Sequence, residues 1–217
     1  TSNLVKMLAD KRNTRVSVRE LLDHGVIESS KMIEDVAYGM KAVFVRDAAV
    51  STHLAAILYL KCFQSIQVHR LAHLLWKNNR NELALFMQSR NAEVFAVDMH
   101  PACKIGSGIM FDHATGIVIG ETTVIEDDVS ILQQVTLGGT GNEKGDRHPK
   151  IRSGVLISTG AKVLGNIEIG MGAKIGANSV VLNDVDPHTT VVGVPAKAIG
   201  KPGTQTPSQT MNQNFFD

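Results

Sequence analysis

The chain has 217 residues, 43% of them hydrophobic and 20% charged, which is enough for a buried core and unlike a disordered polyelectrolyte. Twenty-two Lys and Arg against twenty-one Asp and Glu leave a net charge of +1, which excludes the broad basic face needed for nucleic acid or an anionic membrane. Two cysteines, Cys62 and Cys103, without CxxC spacing, point to free thiols and a reducing, cytoplasmic setting.

No apolar run reaches the roughly 18–20 residues of a membrane span, no signal-peptide pattern opens the chain, and no N-x-[ST] acceptor occurs. The first residue is Thr1 rather than Met, which points to a trimmed chain. From about 17 to 95 the apolar residues recur at i, i+3, i+4 and i+7, as in Leu54 to Leu60 and Val68 to Trp76, so this stretch is expected to be mostly helical. Ser29 and Ser30 are candidate N-caps for a helix through Met40. Asn79 to Asn81 separates a helix ending near Trp76 from one carrying Leu83, Phe86 and Met87.

Near residue 98 the rules change. Seventeen of the 19 glycines lie beyond it, and Phe111 is the one aromatic between Asp98 and Gly203. Aliphatic or aromatic residues then fall every six positions: 105, 111, 117; 119, 125, 131, 137; 151, 157, 163, 169, 175, 181. The position four after these is small or β-branched nearly throughout: Ile109, Thr115, Thr123, Val129, Val135, Val155, Ala161, Ile167, Ala173 and Ser179. Two inward positions in six fit neither helix nor hairpin; they fit one side of a triangular solenoid whose coils stack about 4.8 Å apart. So narrow an interior has no room for a column of aromatics. The period slips by two residues between Ile117 and Ile119 and gains eight between Leu137 and Ile151, where residues 138–149 form a polar, glycine-rich inserted loop with Arg147 and His148. After Pro195 the repeat is lost, and Thr204 to Asp217 is expected to be mobile. The organisation is therefore a helical domain over 1–97, a solenoid over 98–200 with its inserted loop at 138–150, and a tail over 201–217.

A helical half joined to hexapeptide repeats, with Asp112-His113-Ala114-Thr115-Gly116, Gly138-Gly139-Thr140-Gly141 and Gly145-Asp146-Arg147-His148-Pro149-Lys150, closely resembles the serine O-acetyltransferases. Arg46-Asp47 and His73-Leu74-Leu75-Trp76 extend the resemblance into the helical half. The resemblance implies a left-handed parallel β-helix, a hand that periodicity does not give. It also implies acetyl transfer from acetyl-CoA to the hydroxyl of L-serine, giving O-acetyl-L-serine for cysteine synthesis.

Such a transfer needs a base for a hydroxyl scarcely ionised at neutral pH, a role suited to imidazole. His113 lies 15 residues after Asp98, close to one coil, so stacking is expected to set the carboxylate against the imidazole and orient it. The resemblance implies the same dyad, with Asp98 and His113 catalytic and His148 assisting. It further implies serine binding by Asp47, Asp112, Arg147 and His148, with Arg147 as a planar fork for the carboxylate. Ala48 stands where proline is common in relatives. Acetyl-CoA, a co-substrate rather than a tightly bound cofactor, is expected along a groove between coils lined by Gly139 and Thr140, to which the resemblance adds Thr159, Lys174 and Ala177. Relatives more often carry Gly-Ala at Ser158-Thr159.

Cys103 reads as a small buried hydrophobe rather than a nucleophile, and His69 and His73, at i and i+4, lack a further ligand, so no metal site is expected. The glycines around 138–145 match neither nucleotide-phosphate motif. Partners implied by the resemblance are L-serine, acetyl-CoA, L-cysteine as feedback inhibitor, and further copies of the chain in a trimer, paired into a hexamer. No nucleic acid or membrane partner is expected. Cysteine synthase would be bound by a tail ending in Ile, whereas this chain ends Asn214-Phe215-Phe216-Asp217. Rival readings are another hydroxyl acceptor such as homoserine or a galactoside, a non-catalytic scaffold, and a three-histidine zinc hydratase built from His100, His113 and His148.

Overall fold

The computed structural model describes residues 30–141 and 144–214. The part of the expected helical stretch before residue 30, including Ser29, lies outside them. Four helices open the described chain: α1 (Ser30–Arg46), α2 (His53–Tyr59), α3 (Lys61–Lys77) and α4 (Asn81–Phe95). The first continues six residues past Met40, since nothing in Lys41 to Arg46 breaks a helix. The Thr52 hydroxyl caps α2 by accepting from the Ala55 N–H at 3.1 Å. Asn79, at φ +58°, makes the expected break between α3 and α4, and Ala96, also at φ +58°, ends α4.

The rest is a parallel β-solenoid of about five coils with three faces. The first face stacks β1 (Val97–Met99), β4 (Ile117–Ile119), β7 (Thr136–Gly138), β10 (Lys162–Leu164) and β13 (Val180–Val181). The second stacks β2 (Lys104–Ile105), β5 (Val124–Ile125), β8 (Lys150–Ile151) and β11 (Glu168–Ile169). The third stacks β3 (Met110–Phe111), β6 (Ser130–Ile131), β9 (Leu156–Ile157), β12 (Lys174–Ile175) and β14 (Thr190–Val192), closed by the antiparallel β15 (Lys197–Gly200).

The register follows the sequence period. Val97 pairs with Ile117, a coil lengthened by the two-residue slip; Ile119 pairs with Leu137 at the regular spacing; Leu137 pairs with Val163 across the inserted loop. Every six-residue position from 111 to 181 is buried, and Ile105 is half-buried. Among the intervening small positions Thr115 is exposed, because His113 and Ala114 both adopt positive φ and turn Ala114 inward instead. Ile167 is half-buried.

Change of architecture at residue 97 is not a change of core. Leu75, Met87 and Phe95 from the helices share one continuous buried cluster with Val97, Met99 and Phe111 from the first coil. The wide aromatic Phe111 is thus accommodated where helices, rather than another coil, cover the solenoid.

The tail departs from expectation. Residues expected to be mobile form α5 (Pro207–Thr210), whose Pro207 and Ser208 are buried. The Ser208 carbonyl accepts from the Ser130 hydroxyl at 2.8 Å, and the Ser208 N–H reaches the Gly154 carbonyl at 3.3 Å. These polar anchors on the third face, invisible to a composition argument, hold the segment in place. No helix among the described residues is long and apolar enough to cross a membrane.

Candidate active site

A triangular solenoid gathers distant residues along its edges. On the edge between the third and first faces, the Asp112–Gly116 turn lies at the start. Below it come Gln133 and Gln134, then Thr159 and Gly160, then Ala177 and Asn178. The Gln134 N–H bonds to the Thr115 carbonyl at 2.9 Å, the Gly160 N–H to the Gln133 carbonyl at 2.9 Å, and the Asn178 N–H to the Thr159 carbonyl at 2.8 Å. His113, Thr159 and Ala177, singled out separately in the sequence, therefore line one edge. Thr159 Oγ1 donates to the Gln133 carbonyl at 3.3 Å, so its added hydroxyl has a partner within the edge.

His113 stands out from this edge with its side chain 74% exposed and Nε2 3.7 Å from the Asp112 carboxylate. Its turn is tied to the start of β1 by the Gly116 N–H on the Ala96 carbonyl at 2.7 Å, and to α3 by the Lys61 ammonium, which donates to Thr115 Oγ1. The register pairs Asp98 across β1–β4 with Val118, five residues beyond His113, so the two do not stack in register. The Asp98 carboxylate is exposed near the turn and accepts from the Gln88 side-chain amide of α4 at 2.7 Å.

Asp47 follows α1, where its carboxylate caps the turn by accepting from the Ala49 N–H at 2.9 Å. Burial lifts the nearby Cys62 thiol to about 11, and the charges of Asp112 and Asp47 add to this. Arg46, next to Asp47, is buried and joined to Asp128 at 2.7 Å and to the Gly108 carbonyl at 2.9 Å, which fixes the end of α1 against the solenoid.

Arg147 and His148, the other expected site residues, occupy a different edge, between the first and second faces. Here the inserted loop returns over the Gly120–Thr123 corner. Arg147 forms an ion pair with Glu121 at 2.7 Å, which holds the Glu121 carboxyl below its ordinary value. His148 is only 7% exposed, and its Nδ1 lies 3.2 Å from the Thr122 N–H and 2.9 Å from the Thr122 hydroxyl. Burial, with the nearby Arg147, depresses the His148 imidazole; the Glu121 charge opposes this. His100 belongs to the same edge: the Ala102 N–H donates to its Nδ1 at 3.1 Å, its ring meets Trp76 edge-on at 5.1 Å, and burial depresses it too. Within one chain, then, His113 lies at one end of the first face and Arg147 and His148 at the other.

Gly139 and Thr140 are in the loop on this second edge; Thr140 is exposed and Gly139 half-buried against the Arg147 chain. Lys174 lies apart from both edges. It is 3% exposed on the third face, where its ammonium donates to the Asn214 carbonyl of the tail. Among the interior residues, His69 is 2% exposed and pushed down to about 3 by burial, with Cys103 Sγ 3.5 Å from its Nε2; burial also raises the Cys103 thiol. His73 Nδ1 meets the Pro101 carbonyl at 2.8 Å. This places the histidine pair and Cys103 in packing between α3 and the first coil.

Sequence reasoning missed Gln88, Lys61, Glu121 and Thr122. The first two lie in the helical half, where no motif marks them. Glu121 and Thr122 had a signal, since stacking places the 120–123 corner directly beside the loop's return.

Comparisons with known proteins give the family. The family described as serine acetyltransferase, N-terminal, matches residues 1–68, and bacterial transferase hexapeptide (six repeats) matches 148–183, which marks the solenoid as a left-handed parallel β-helix. A serine acetyltransferase of Salmonella typhimurium is 55% identical over 212 residues, covering 98% of this chain and 78% of that protein. A serine acetyltransferase in complex with cysteine superposes with a TM-score of 0.94 at 52% identity, covering 99% of this chain and 83% of that one. A serine acetyltransferase from Brucella abortus in complex with coenzyme A superposes with a TM-score of 0.88 at 48% identity, covering 92% and 80%.

Proposed function

The chain belongs to the serine acetyltransferase family, and from that premise we propose that it transfers acetyl from acetyl-CoA to the hydroxyl of L-serine, giving O-acetyl-L-serine and CoA. The observation that carries this reading is the edge on which the His113 turn, Thr159 and Ala177 align: an exposed imidazole stands at the head of a row of corners along which a long acyl carrier can lie. His113 Nε2 takes the serine proton as the oxygen attacks the thioester, and returns it to the departing CoA sulfur. Asp98, held by Gln88, moves onto the imidazolium as charge develops there. Asp112 and Asp47 attract the serine ammonium, and Arg147 the carboxylate. Small residues on the edge and Gly139 and Thr140 on the loop admit the pantetheine arm, and Lys174 meets CoA only if the tail leaves it.

Separation of His113 from Arg147 and His148 across the first face supports a site shared by neighbouring subunits of a trimer, with helical domains pairing trimers into a hexamer. The relative solved with cysteine supports L-cysteine as a feedback inhibitor competing with serine. Two free thiols suit a cytoplasmic location. Pull-down with cysteine synthase tests the scaffold reading.

The direct test is CoA-thiol release from acetyl-CoA with L-serine, L-homoserine, a galactoside or no acceptor, in wild type and His113→Ala. Serine-dependent release abolished by the substitution is expected. Release with another acceptor instead would assign a different substrate, and unchanged release in His113→Ala would remove that residue as the base.

A further inference from the structure

The inserted loop is fastened to the corner beside it by one side chain. Thr122 Oγ1 accepts from the backbone N–H of Arg147 at 3.0 Å and of His148 at 3.1 Å, so both loop residues depend on a single hydroxyl oxygen. The same residue addresses the His148 ring. Its backbone N–H has Nδ1 as its acceptor at 3.2 Å, and a nitrogen that accepts from an amide cannot itself carry a proton. The hydroxyl, 2.9 Å from Nδ1 and also against the Asp146 carboxylate, keeps the ring on that N–H through its two bonds to the loop backbone. In the neutral ring the proton is therefore on Nε2.

Gly120 completes the arrangement. A Cβ there would lie 2.1 Å from both Nε2 and Cδ2 of His148, so only glycine lets the edge of the imidazole carrying Nε2 lie against the backbone of this corner. Nε2 meets no acceptor among the described residues. The groups facing the ring are Arg147, Glu121, Lys150, His100 and Asp146, and burial together with the cations opposes a second proton.

We propose that Thr122 and Gly120 are positioning residues that fix His148 as its Nε2–H tautomer, making it a hydrogen-bond donor to an anionic oxygen of the bound reactants rather than a proton acceptor. The proposal rests on the reading that His148 belongs to the acetyl-transfer site. No bond is made or broken at His148: it donates a hydrogen bond to the serine carboxylate, or to the oxyanion formed as the thioester is attacked, while His113 carries the proton.

Three measurements test it. In protein labelled with 15N-histidine near pH 7.5, with His148→Gln assigning the signal, Nδ1 is expected to be unprotonated and Nε2 protonated; a protonated Nδ1 would overturn the tautomer assignment whatever the activity. Thr122→Val should lower kcat/KM by about tenfold and broaden or shift that signal, and Thr122→Ser should restore both. A loop loosened without any change of tautomer would show the kinetic loss with an unaltered spectrum, and would count against the proposal. Finally, His148→Ala should lose about 100-fold while His148→Gln, whose amide N–H can occupy the place of Nε2–H, stays within about tenfold of wild type. Equal loss in both would overturn the donor role. Full activity in His148→Ala would instead overturn the placement of His148 in the site. A loss confined to the KM for serine identifies the carboxylate as the acceptor, and a loss in kcat the oxyanion; an effect on neither overturns the proposal.

Discussion

Gln88 holds Asp98 from the side of the helices, 2.7 Å from amide nitrogen to carboxylate oxygen, and a neutral amide orients that carboxylate without discharging it. A hydrogen bond to a charged group is worth about 1.5–3 kcal/mol, so Gln88→Leu should lower kcat by roughly 10- to 100-fold. The melting temperature should move little, because Asp98 is exposed. Wild-type kcat in that variant would show that Asp98 takes no orientation from α4. What the sequence made legible at this scale was the candidate base and not its support. His113, Arg147 and His148 stand in motifs, whereas Gln88 and Lys61 lie in helices whose pattern reports only which face is buried. The stacking of His113 on Asp98 was inferred from a spacing of 15 residues, three short of a regular coil, and the slip between Ile117 and Ile119 moves the register further, to Val118 opposite Asp98.

Between α3 and the first coil, burial rather than charge pairing sets the chemistry. His69 is neutral in the fold, with its pKa near 3 against an ordinary 6.5, so below about pH 6.5 the unfolded chain takes up a proton that the folded chain refuses. The stability due to this group is present above that pH and is lost as pH falls toward 3, by about 1.4 kcal/mol per pH unit for one proton. His69→Leu should therefore flatten the fall of melting temperature between pH 6.5 and 5; an unchanged slope would locate the acid sensitivity elsewhere. Coil stacking sets a second constraint. A Cβ on Gly170 would lie 2.8 Å from the Asp186 carbonyl carbon and the Pro187 Cα, both backbone atoms of the next coil. Gly170→Ala should cost about 1–3 kcal/mol in chemical denaturation, and a neutral result would mean that the coils can separate locally. The coils were legible because a six-residue period has few solutions. The tail was not, since Ser130–Ser208 and Ser208–Gly154 bonds join segments with no shared pattern.

At the level of the whole molecule, the two halves of the chemistry sit on different edges of one prism. His113 is at the junction of the third and first faces; Arg147 and His148 are at the junction of the first and second, with the width of the first face between them. A threefold arrangement of such prisms sets one kind of edge against the other at each interface, so each site would draw His113 from one subunit and His148 from the next. This makes a quantitative demand on mixtures. When His113→Ala and His148→Ala chains are co-refolded in equal amounts, an interface works only if its first subunit keeps His113 and its second keeps His148. For random assembly that happens at about one interface in four, so roughly a quarter of wild-type activity should return from two nearly inactive preparations. Mixing His113→Ala with Asp98→Ala should restore nothing if the dyad comes from one subunit. Failure of the first mixture, with trimers verified by mass, would require His113 and His148 to serve separate functions or to meet by a large movement within a single chain.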